Sequence, residues 1–99
     1  MNIPVNVSHN AAAQRFEAMV NGQLCRAEYR RHGDTLALVH TEVPQDLEGR
    51  GIAAQLVYAA LAYARAQSLT VQPICSYVRA YMQRHPHELA RGDERLDRK

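Results

Sequence analysis

The chain has 99 residues and a formal net charge of +2, enough for one hydrophobic core but not for two. Its 46% hydrophobic and 22% charged residues are the mix of a globular domain, with no apolar run near the roughly 20 residues that span a bilayer. The near-neutral charge and lack of a basic-aromatic stripe argue against nucleic acid, and Cys25 and Cys75 stand in no metal-binding spacing, as free thiols in a cytoplasmic setting would.

Residues 1–11 carry little pattern and are expected as a loose arm, without the charged and apolar regions of a signal peptide. Residues 14–20 then alternate, with Phe16, Ala18 and Val20 on one face. Asn21-Gly22 is a two-residue hairpin signal, because both positions favour positive φ. Residues 23–31 continue as a strand with Cys25, Ala27 and Tyr29 on one face, which makes Cys25 a core residue. After a turn at His32-Gly33-Asp34, residues 35–43 form a third strand, apolar on both faces as far as His40 and ended by Pro44. The first half thus predicts a three-stranded antiparallel meander.

The period then changes. Ile52, Leu56, Ala59 or Ala60 and Tyr63 recur at helical spacing over residues 51–67. Residues 69–76 read as a buried strand whose Pro73 implies an edge, a bulge or a splay. Residues 77–84 are helical again, closed or kinked by Pro86, with a further turn expected at residues 88–91 and a frayed charged tail at 93–99. The strand–helix–strand unit predicts a right-handed crossover and a parallel strand pair. The fold class is therefore α/β (α+β), one domain over residues 1–99 with its core at about 14–89.

Gly49 and Gly51 stand immediately before the long helix. A helix N-terminus offers free amides and the positive end of the macrodipole, the usual seat of a phosphate or pyrophosphate. Two glycines at that place also serve simply to end a strand and begin a helix. Eleven of the twelve basic residues are arginine, whose fork suits phosphate oxygens, although compositional bias explains most of them equally well. His85 and His87 are two apart, which is poor spacing for metal ligands on a helix.

Four ordered motifs carry a family resemblance: His40-Thr41-Glu42-Val43, Gly49-Arg50-Gly51-Ile52-Ala53, Cys75-Ser76-Tyr77-Val78 and His85-Pro86. Together they resemble the small single-domain branch of the GCN5-related N-acetyltransferases, over residues 14–89. The chain departs from the family in two ways. Glu48 stands where Gln or Arg is usual, and Asn21-Gly22 leaves no room for the helices that cover the acceptor in full-size members. The tyrosine acid of the family aligns near Met82, with Tyr81 one residue away.

The resemblance implies acetyl-coenzyme A as cofactor and an amine as acceptor, a protein amine included. It implies that the backbone of Gly49, Arg50, Gly51, Ile52, Ala53 and Ala54 holds the pyrophosphate, and that the strand edge at Thr41 and Val43 aligns the pantetheine arm. Tyr77 and Tyr81 would contact the cofactor from the last helix, and Arg79 or Arg84 would reach its 3′-phosphate unless both are solvated surface charges. His40 is the candidate base, because imidazole titrates near neutral pH; the alternative is a buried ring satisfied by its neighbours. Cys75, at a strand end beside a helix N-terminus, is the second catalytic candidate. It would act as a proton donor or an acyl acceptor, or it merely lines the pocket. The competing class of function is a non-catalytic acyl-coenzyme A binding or sensing module.

Overall fold

The first half of the chain forms four antiparallel strands: β1 (Ser8–Asn10), β2 (Arg15–Val20), β3 (Gln23–His32) and β4 (Thr35–Glu42). A 3₁₀ turn (Gln45–Leu47), helix α1 (Ile52–Ala66), strand β5 (Thr70–Pro73) and helix α2 (Ser76–Arg84) follow. This is a computed structural model, and it describes residues 2–86. The expectations for His87, for a turn at 88–91 and for the tail lie outside the described residues.

The strands lie in chain order, β1-β2-β3-β4-β5, with β5 parallel to β4. Asn21 (φ 52°) and Gly22 (φ 74°) both take positive φ at the β2–β3 turn, as a tight hairpin requires. One face of the sheet carries Phe16, Ala18, Cys25, Ala27, Tyr29, Leu36 and Leu38, all buried. Helix α1 covers that face with Leu56, Val57, Ala60, Leu61 and Ala64. Ala60 and Ala64 are wholly buried, and their small side chains let the helix axis approach the strands. Each fully buried Leu or Val there contributes about 1.5–3 kcal/mol of transfer free energy. No helix among the described residues is long and apolar enough to cross a membrane.

Two expectations need correcting. The described part of the first eleven residues is not a loose arm. Residues 8–10 form β1, which pairs with β2 in the register His9↔Phe16. The His9 ring stacks on Phe16 with centroids 4.3 Å apart, and its Nε2 lies 2.6 Å from the Tyr29 hydroxyl. Upstream, Ile3 N–H donates to the Arg50 carbonyl at 2.9 Å. A three-residue strand is too short to display alternation, which is why the pattern was silent there. Strand β5 also ends at Pro73 rather than at Ser76. The amides of Ile74 and Cys75 both turn back onto the Leu38 carbonyl, so the chain bends off the sheet directly into α2.

Candidate functional site

The site begins with an irregularity in β4. Tyr29 pairs with Leu38, but Glu28 pairs with His40, so β4 carries one extra residue, Val39, at a β-bulge. An inserted residue reverses the facing of everything after it. Leu36 and Leu38 point at α1; beyond the bulge Thr41 shares that face with Ala27, while His40 turns to the other face beside Glu28. The parallel pairing with β5 stops at Leu38↔Pro73. The rest of β4 is paired on its β3 side, and its other edge opens toward α1 and α2.

Across that opening lies the glycine loop. Gly49 (φ 83°) and Gly51 (φ 78°) are both left-handed, a conformation costing other residues roughly 1–2 kcal/mol. Gly51 is the N-cap of α1 and no side chain caps the helix. Its carbonyl accepts the first helical bond, from Gln55 N–H at 3.3 Å. The amides of Gly51, Ile52, Ala53 and Ala54 therefore project from the helix N-terminus without a helical partner.

Strand edge and loop together enclose a cavity of about 400 Å³ lined by Thr41, Val43, Leu47, Glu48, Gly49, Gly51, Ile52, Ala53, Ala54 and Tyr77. Eight of the residues expected at the cofactor are thereby brought together: Thr41, Val43, Gly49, Gly51, Ile52, Ala53, Ala54 and Tyr77. Leu47, buried in the smaller core cluster with Ile52 and Leu56, belongs to the wall and had not been expected. It sits in the 3₁₀ turn, where three residues give no period to read. Glu48, the departure from the family pattern, is exposed and lines the cavity.

Cys75 sits beside this cavity as the N-cap of α2, with φ −70° and ψ 131°. Its Sγ is 3.7 Å from Thr41 Oγ1. Burial pushes the thiol up, but hydrogen bonds between the sulfur and the Val78 backbone, the Thr41 hydroxyl and the backbone of Tyr77 and Thr41 outweigh it, and the pKa falls below the ordinary value. Tyr77 moves the other way. Burial raises its phenol, Arg84 partly offsets this, and the Cys75 charge adds to the rise. Cys25 is fully buried, and burial with help from Asp46 raises its thiol. The two cysteines are thus shifted in opposite directions: Cys25 upward in the core, Cys75 downward at a helix N-terminus.

The remaining candidates fall elsewhere. His40 is exposed on the opposite sheet face, its Nε2 3.0 Å from Glu42 Oε1. Arg50 is exposed and outside the cavity lining. Arg79 is exposed and donates from Nη1 to the carbonyls of Pro73 and Ile74, at 3.0 and 2.7 Å, which ties α2 to the end of β5. Tyr81 is buried, stacks on His85 at 4.2 Å, and lines a second cavity of about 580 Å³ between residues 2–7, α1 and α2. Arg84 is exposed in the last turn of α2. No cluster of three metal-ligating side chains occurs among the described residues.

Comparisons with known proteins agree with this fold. A family model described as GCN5-related N-acetyl-transferase matches residues 15–91. Protein NATD1 of Mus musculus is 35% identical over 86 residues, covering 84% of this chain and 78% of that protein. Its counterpart from Danio rerio is 31% identical over 86 residues, with the same two shares covered. A GCN5-like protein from Staphylococcus aureus, solved by NMR, superposes with a TM-score of 0.68 at 21% identity, covering 85% of this chain and 83% of that one. At that identity the likeness is one of fold.

Proposed function

The chain belongs to the GCN5-related N-acetyltransferase family, and on that premise we propose that it transfers an acetyl group from acetyl-coenzyme A to an amine, a protein amine being one candidate. One observation carries the reading. Uncapped helix amides and an open strand edge face each other across one cavity, and a thiol of lowered pKa stands beside it.

The cradle fits coenzyme A in its chemistry. The amides of Gly51, Ile52, Ala53 and Ala54 are donors for a diphosphate at the positive end of α1. The edge at Thr41 and Val43, which no strand pairs beyond Leu38, suits the amide-bearing pantetheine arm, which pairs as a strand would. When bound, the cofactor supplies a thioester carbonyl open to attack by an amine. Leu47, Ile52 and Ala53 exclude water from the wall of the cavity. Cys75, whose Sγ lies 3.7 Å from the Thr41 hydroxyl, is the residue we assign to proton transfer: Sγ would give its proton to the departing thiolate and take back the one the amine loses as the new N–C bond forms. His40 is left out of this assignment, because its ring belongs to the other face of the sheet.

A second reading is a non-catalytic acyl-coenzyme A binding module. It is favoured by the burial of Tyr81 and the outward facing of His40, which leave few acid–base groups at the cavity. Calorimetric titration with acetyl-coenzyme A, followed by assay of thiol release with a panel of amines, separates the two. For the transferase, binding persists in Cys75→Ala while turnover falls about 10²-fold or more. Binding without turnover on any amine, in wild type and variant alike, selects the module. No heat at millimolar cofactor overturns both.

A further inference from the structure

The glycine loop is held from outside itself. Gln55, one turn into α1, uses its whole side-chain amide on this task. Its Oε1 accepts from Val5 N–H at 3.0 Å, and its Nε2 donates to the Ile3 carbonyl at 2.6 Å and to the Gly51 carbonyl at 3.2 Å. Ile3 N–H closes the circuit onto the Arg50 carbonyl at 2.9 Å. Asn2 lies over Gly51 so closely that a Cβ there would meet its Cγ at 2.7 Å, whereas a Cβ on Gly49 would meet nothing.

From this circuit we infer that Gln55 is a positioning residue for the diphosphate cradle, acting through residues 2–5. The reason is the planarity of the peptide unit. Each carbonyl points opposite to the amide N–H that follows it in the same plane. Bonds that fix the Arg50 and Gly51 carbonyls therefore also aim the amides of Gly51 and Ile52. Two left-handed glycines and no side-chain cap leave the loop free to rotate those planes, and the Gln55–Ile3 circuit removes that freedom before a ligand arrives. Pre-organised donors bind an anion more tightly than donors that must first be ordered. The inference rests on the cofactor reading above.

The test titrates full-length wild type and Gln55→Leu with two probes, coenzyme A and pantetheine, the second lacking the diphosphate. Leucine keeps the bulk and removes all three side-chain hydrogen bonds. The expected result is an affinity for coenzyme A about ten-fold weaker, with pantetheine binding unchanged. Equal loss on both probes, or none on coenzyme A, overturns the inference. Ile3→Pro, which deletes the donor to Arg50, is the second variant and should shift coenzyme A in the same direction should Gln55→Leu not fold. If wild type binds neither probe, the cofactor reading falls. The circuit is then judged by ¹⁵N order parameters of Gly51 and Ile52: more mobile in Gln55→Leu supports it, unchanged overturns it.

Discussion

Replacing Gly51 and Gly49 separately by alanine distinguishes backbone conformation from the contact with the N-terminal segment. Both glycines take left-handed φ, 78° and 83°, so each alanine variant bears about 1–2 kcal/mol of conformational cost. Only at position 51 does the new methyl meet an obstacle, the Asn2 side chain, with Cγ, Oδ1 and Nδ2 at 2.7, 2.8 and 3.0 Å. Asn2 must then move, and the adjoining Ile3–Arg50 hydrogen bond is the first to weaken, a loss of about 0.5–1.5 kcal/mol. Urea unfolding followed by circular dichroism should therefore give Gly51→Ala the larger destabilisation, by about that increment. In an Asn2→Gly background the excess should vanish, since the obstacle has gone. Equal destabilisation of the two variants, or an excess that survives Asn2→Gly, refutes the reasoning.

Two further outcomes follow from the electrostatics. Iodoacetamide should alkylate Cys75 with a pH profile inflecting below that of an ordinary thiol, and Thr41→Val should move the inflection upward, since the hydrogen bond between Sγ and the Thr41 hydroxyl lowers the thiol; superimposable profiles would remove Thr41 from the site. Cys25 should react only on unfolding. On the open face, the His40 hydrogen bond first and the Arg26 charge second hold the Glu42 carboxyl below its ordinary value. A depressed carboxylate stabilises the fold above its unfolded pKa, and the contribution is lost as pH falls through the folded pKa. The stability difference between wild type and His40→Ala should thus be present at neutral pH and close in acid, and a ¹³C titration of Glu42 should move upward in the variant. A Glu42 curve unchanged by His40→Ala would sink this account.

Much of the site was legible because its parts announce themselves locally. Asn21-Gly22 names its turn, the spacing of Ile52, Leu56 and Ala60 names the buried face of α1, and Gly49 and Gly51 name an uncapped helix start. His40 shows where legibility stops. Simple alternation in the third strand cannot reveal that Val39 is an inserted residue, because the bulge is decided by pairing with Glu28 and Tyr29 on the neighbouring strand. One uncounted residue moved the imidazole from one side of the sheet to the other. Arg79 was hidden for a related reason. Its sequence context advertises a surface charge, and only the bend after Pro73 brings two carbonyls under its guanidinium. The contribution of residues 2–5 was invisible because each of its bonds spans about half the chain.

A sheet whose strands lie in the same order as they occur in the chain has a kinetic consequence. Every antiparallel neighbour is also a neighbour in sequence, so little loop entropy is spent before each hairpin rewards it. The β4–α1–β5 crossover closes a longer loop, and the contact of residues 3–5 with Arg50 and Gln55 closes among the longest. By that ordering the meander zips early and the glycine loop receives its restraint at the end of folding. A chevron analysis reads this directly: in the transition state, Asn21-Gly22 should be formed and Gln55 should not.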